Sequence, residues 1–169
     1  MGRDRSAPFF LWVHLYDPHA PYEAPEPYKS RYPGAPYLAE IAFTDNQVGR
    51  LIEALEMTGK KDSTFIVVAA DHGESLGEHG EIQHGFFIYE SATHVPLIIS
   101  TPFEEIAGVQ TNEVVSLIDV MPTILDMTGF EIPEAVQGQS LTSLFLEGAA
   151  SETRFVYSET FYARYHYGW

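Results

Sequence analysis

The stretch TFIVVAADHGESLGEHGEIQHG, residues 64–85, decides how this chain is read. It opens on a short continuous apolar run, which reads as a strand buried on both faces of a sheet. The run stops at Asp71, His72 and Gly73. In open α/β sheets, ligands bind beyond the carboxyl ends of the strands. Asp71 and His72 therefore stand where a ligand would, and Gly73 leaves room above them. The hard oxygen of an aspartate and the borderline nitrogen of a histidine together suit Ca²⁺, Mg²⁺ or Mn²⁺, and Zn²⁺ less exclusively. Two ligands do not complete a site, so others must come from elsewhere. A turn in which Asp71 bonds its own backbone accounts for the same triplet without a metal.

The rest of the stretch carries His79, His84, Glu74, Glu78 and Glu81. The three glutamates and His79 read as a solvated loop face. A zinc site built from His72, His79 and His84 alone stays open, although their spacings of seven and five match no helical ligand pair such as HExxH.

Working outward, residues 8–15 (PFFLWVHL) form another apolar run and read as a second strand buried on both faces. Residues 16–36 hold six of the eleven prolines and read as a long, functional loop. From 37 to 57, Leu38, Ile41, Ala42, Val48, Ile52 and Leu55 recur at helical spacing, with Gly59 as the stop. Asp45 shares that apolar face and reads as a hydrogen-bonded structural carboxylate. Strands are expected at 95–100 and 114–118. Asp119 is expected to cap the helix VMPTILDMTG, with Pro122 in its first turn and Gly129 at its end. Ser140 is placed to cap a further short helix, LTSLFLEG. The aromatic tail from residue 155 begins like a strand. This alternation predicts an α/β fold, a mostly parallel sheet flanked by helices.

Composition narrows the function classes. The 169 residues suit about one domain, and 45% hydrophobic content is globular. A net charge of −15 argues against nucleic acid and against an anionic membrane surface, whereas divalent cations tolerate it well. No apolar run is long enough to span a membrane. The start of the chain reads as a core strand, not a signal peptide. There is no cysteine, hence no disulfide and no thiolate metal site. Both ends are abrupt, which leads us to expect a piece of something larger.

The ordered series FFLWVHLYDPHAPY, YLAEIAFTDNQVGRLIEAL, TFIVVAADHGESLGEHG, HGFFIYESATHVPLIIS, VVSLIDVMPTILDMTG and GQSLTSLFLEG resembles the sulfatase family of the alkaline-phosphatase superfamily over nearly the whole chain. The resemblance implies an alkaline-phosphatase-like α/β fold, incomplete here. It makes residues 1–153 the second half of a catalytic domain and 154–169 the start of a C-terminal segment. It implies that Asp71 and His72 are the second pair of metal ligands, with Ca²⁺ first and Mn²⁺ or Mg²⁺ as alternatives. His19, in DPHAPY, matches a histidine that contacts the sulfate ester. His84 falls where many members carry a lysine for the same group. A histidine serves there only if it is protonated or donates through one ring nitrogen. His14 and His94 read as structural, and His166 has no assigned role.

Two family features are absent. No Cys-x-Pro-x-Arg or Ser-x-Pro-x-Arg motif is present to supply the formylglycine nucleophile, and no paired aspartates supply the first metal pair. Both are expected in an upstream part, so the chain by itself is expected to be inactive. The implied activity is cleavage of sulfate esters, on a small molecule or a glycan. The Asp-His pair keeps a phosphonate monoester or phosphodiester hydrolase open. A non-catalytic divalent-metal-binding protein is the reading from another class. Relatives are often periplasmic or secreted.

Overall fold

The proline-rich segment of the computed structural model leads into one long helix. The structure describes residues 7–102, 108–146 and 154–168. The chain divides into two units, Met1–Lys61 and Asp62–Trp169.

The first unit holds α1 (Tyr28–Arg31) and α2 (Pro36–Met57). Pro36 opens α2, where a missing N–H costs nothing and the fixed φ suits a helix. Gly59, at φ +64°, ends it, and the Lys60 amide returns 2.9 Å to the Leu55 carbonyl. The expected helix over 37–57 is therefore present. Tyr28 of α1 meets Phe43 of α2 edge-on at 5.6 Å. Ala24, Ala39 and Glu40 are buried. Asp45, expected as a structural carboxylate, is exposed.

Residues 8–15 are not a strand. Phe10 and Trp12 are each 78% exposed. A strand buried on both faces needs hydrogen-bonded neighbours, and among the described residues this run has no ladder partner.

The second unit contains β1 (Ile66–Ala69), α3 (Glu90–Thr93), β2 (Leu97–Ser100), α4 (Val120–Met127), α5 (Thr142–Leu146) and α6 (Tyr162–Tyr167). β1 and β2 pair antiparallel, with Ile66 opposite Ser100 and Ala69 opposite Leu97. This corrects the expectation of a mostly parallel sheet for the one strand pair among the described residues. A parallel pair needs a long crossover, usually helical. The link from β1 to β2 has only turns and the four-residue α3, so the chain reverses and returns alongside itself.

The strand expected at 114–118 gives way to a 3₁₀ turn, Leu117–Asp119. The Asp119 carboxylate takes the Ser116 amide at 2.9 Å, the second half of a capping box, and so removes a donor that a ladder would need. Asp119 stands at the N-cap position of α4, as expected, but its carboxylate makes no capping bond to that helix. Its Oδ1 accepts the Gln139 amide at 2.8 Å, and its Oδ2 accepts Arg154 Nη2 at 2.6 Å. Gly138 has to be small here, since a Cβ would lie 2.0 Å from the Ile118 carbonyl oxygen. Thr123 donates to the Asp119 carbonyl and accepts the Leu141 amide, and Leu141 and Leu144 complete this small core.

The tail, expected to start as a strand, instead ends in α6. Rings four residues apart stack there, Tyr162 on His166 at 4.2 Å, which favours a helix. Ser140 accepts the Thr142 amide at 3.2 Å, close to its expected capping role. The expected end of that helix at 147–148, and the boundary at 153, lie outside the described residues.

Two predictions follow from this packing. Asp119→Ala takes the ion-pair partner from Arg154, which keeps only Val114 and Gln139, and strands two amides, so unfolding in urea should lose about 3–5 kcal/mol. The Ser140 hydroxyl, with Thr142 behind it, holds the Asp126 carboxyl below the usual carboxylate range. A depressed folded pKa contributes stability above the unfolded value, near pH 4, that fades as the pH falls through the folded value. Ser140→Ala should therefore lower Tm at pH 7 and do so much less in strong acid.

Candidate active site

The site begins where β1 ends. The Gly73 amide donates to the Ala92 carbonyl at 2.8 Å. A Cβ on Gly73 would sit 2.1 Å from the Ser91 carbonyl oxygen, so the two backbones approach this closely only with glycine. Two residues on, the fully buried Ser75 places its Oγ 2.8 Å from Ser91 Oγ. The segment 71–75 is thereby stitched to α3.

On this base the Asp71 Oδ1 accepts the His72 amide at 3.1 Å. His72 Nδ1 lies 2.9 Å from the Gly73 carbonyl oxygen. A carbonyl only accepts, so Nδ1 carries the hydrogen and the neutral ring keeps its lone pair on Nε2. That nitrogen is 3.7 Å from Asp71 Oδ2. Two ligands of one divalent cation stand ~3–4 Å apart, so this oxygen and nitrogen fit such an ion. Both side chains are open to solvent, Asp71 at 77% and His72 at 42%.

His84 stacks on His72, centroid to centroid 3.7 Å. Its Nδ1 lies 3.1 Å from Glu74 Oε1, and the Glu74 side chain is only 7% exposed. A carboxylate accepts, so the Nδ1 hydrogen of His84 is held by Glu74. Asp71, His72 and His84 are thus brought together, with Glu74 beneath them. Glu74 was expected on a solvated face. One glutamate among three in a loop gives no sequence signal of burial.

The loop's other groups stand apart. His79, at φ +57°, is exposed and stacks on Tyr89 at 4.0 Å, away from the His72–His84 pair. Among the described residues no three metal-ligating side chains are placed so that they could hold one metal ion, so the three-histidine zinc reading gains no support. Backbone amides of Glu78 and Leu76 hold the Glu78 carboxyl below its ordinary range. Glu81 accepts the Phe87 amide at 3.1 Å. The tail reaches this loop, as Thr160 Oγ1 donates to the Gly85 carbonyl at 2.5 Å.

His19 belongs to the first unit. Its Nδ1 lies 2.6 Å from the Ala20 carbonyl oxygen, and Tyr16 packs on its ring at 4.4 Å. His14 is exposed. His94 is exposed beside Glu90 at 3.4 Å.

The sulfatase family model matches residues 2–130. The chain belongs to the sulfatase family. An arylsulfatase of Clostridium perfringens is 28% identical over 200 residues, covering 93% of this chain and 41% of the relative. An N-acetylglucosamine-6-O-sulfatase of Bacteroides thetaiotaomicron is 41% identical over 105 residues, covering 62% of this chain and 19% of the relative. The solved phosphonate monoester hydrolase of Silicibacter pomeroyi superposes with a TM-score of 0.66 at 36% identity, over 80% of this chain and 28% of its own. The chain thus spans from a fifth to two fifths of the length of these two curated relatives.

Gly73→Ala tests the stitch that carries the site. The added carbon meets a backbone oxygen, so the variant should lose about 1–3 kcal/mol in chemical denaturation. His72 and His84 should also separate, seen as shifted imidazole resonances.

Proposed function

We propose that this chain contributes half of the active site of a metal-assisted hydrolase of sulfate esters. The observation that carries the reading is the Asp71–His72 pair at the strand end, with its ligand nitrogen selected by a backbone carbonyl. Asp71 Oδ2 and His72 Nε2 would hold a divalent cation, Ca²⁺ in the first instance and Mn²⁺ or Mg²⁺ as alternatives. Such an ion supplies a Lewis acid that stabilises charge developing on an ester oxygen. His84, fixed by Glu74, offers Nε2 to the ester anion in place of the family's lysine. His19 is assigned to the sulfate ester by the family resemblance, to stabilise the anion or protonate the leaving oxygen. The nucleophile is assigned to sequence outside these 169 residues, as formylglycine, because the chain contains neither a Cys-x-Pro-x-Arg nor a Ser-x-Pro-x-Arg motif. The chain by itself is inactive on this reading.

A sulfated glycan is the favoured substrate class, supported by the likeness to an N-acetylglucosamine-6-O-sulfatase. The likeness to a phosphonate monoester hydrolase favours a second reading, a phosphonate or phosphodiester hydrolase with the same residues.

The test uses the full-length parent enzyme with aryl sulfate, phosphonate monoester and phosphate diester substrates. Preferred turnover of the sulfate is expected, and preferred turnover of a phosphorus ester selects the second reading. Asp71→Ala should cut activity at least about 100-fold. Near-normal turnover with metal still bound would sink the assignment. Saturable metal binding with no turnover of any ester would favour a non-catalytic ion-binding protein.

A further inference from the structure

We infer that Glu40 is the positioning residue of His19. It lies in the second turn of α2 and is 3% exposed. Its two oxygens accept two backbone amides of the loop, His19 to Oε2 at 2.9 Å and Glu23 to Oε1 at 2.6 Å. One turn further along α2, Thr44 Oγ1 donates to the Asp17 carbonyl at 3.2 Å. Residues four apart share a helix face, so one face of α2 grips the loop at three points.

The loop needs such a grip. Pro18, Pro21 and Pro25 have no backbone donor, so this segment cannot build a ladder of its own. A buried carboxylate likewise needs charge-assisted partners, and here two loop amides are those partners. Each side satisfies the other. The consequence falls on His19. Its own amide is held, its Nδ1 is directed to the neighbouring Ala20 carbonyl, and Tyr16 packs on its ring. The direction of the imidazole is thus set from a helix residue 21 positions later in the chain.

The part of this inference that concerns catalysis rests on the proposed role of His19; the positioning itself does not. Two measurements keep them apart. The first is amide hydrogen exchange in the full 169-residue chain, with Glu40→Gln and Glu40→Ala. Glutamine keeps the volume but offers one acceptor oxygen. Exchange should accelerate at least about tenfold at one of the His19 and Glu23 amides in Glu40→Gln and at both in Glu40→Ala. The Gly73 amide, held elsewhere, should be unchanged in either. Should Glu40→Ala fail to fold, the isosteric variant decides. Unchanged exchange at both amides in Glu40→Gln would overturn the inference.

The second measurement is ester hydrolysis by the full-length parent. If Glu40 acts through His19, the double variant His19→Ala/Glu40→Gln should lose no more activity than His19→Ala. Glu40→Gln alone should lower kcat more than it raises KM. Additive losses would mean a general stabilising role and would overturn the catalytic part. A parent that hydrolyses no ester would defeat the proposed function, while the exchange result would still decide the positioning.

Discussion

The close approach of Gly73 to the Ser91–Ala92 backbone is the constraint on which the site depends. A Cβ at that position would stand 2.1 Å from a carbonyl oxygen, so only hydrogen fits. The contact closes the long excursion between β1 and β2 near its base. It holds the Asp71–His72 pair at the end of a paired strand rather than on a free loop. It also lets the Gly73 carbonyl choose the tautomer of His72. A single missing methyl group thus sets both the place and the chemistry of the candidate ligands.

Buried carboxylates do much of the remaining organisation. Asp119 gathers two amides and a guanidinium, Glu74 holds an imidazole, and Glu40 holds two loop amides. Asp119 and Glu40 in this way satisfy donors from segments about twenty or more residues away, whereas Glu74 acts within its own loop. Such groups are costly to bury alone and inexpensive when fully bonded. For a chain with a net charge of −15, this places part of the negative charge in internal hydrogen bonds. An anionic ester would approach against the remaining field, so the local histidines and a bound cation would have to dominate at short range.

Much was legible from pattern alone. The spacing over 37–57 marked α2, the apolar run before DHG marked β1, and the ordered segments pointed to the sulfatase family. The strand direction was not legible, because pairing follows from the length and shape of the connection. Residues 8–15 carry a strand's composition, yet composition records the demand for neighbours and not their presence. Residues 114–118 read as a strand on their apolar run, although Ser116 and Asp119 three residues on carry the local signature of a capping box, which takes the Ser116 amide instead. The aromatic tail read as a strand on its composition, although β-propensity depends on what the side chains pack against.

By itself, then, the sequence determined the family, the placing of Asp71, His72 and Gly73 after an apolar strand, and the identity of the candidate histidines. These depend on residue type and local order, which are written along the chain. Only the tertiary structure decided that Glu74 lies beneath His84 and that Glu40 lies under the loop of His19. It alone decided that β1 and β2 run antiparallel. Those outcomes depend on which polar groups lose water together, and burial is a property of packed segments rather than of any one of them.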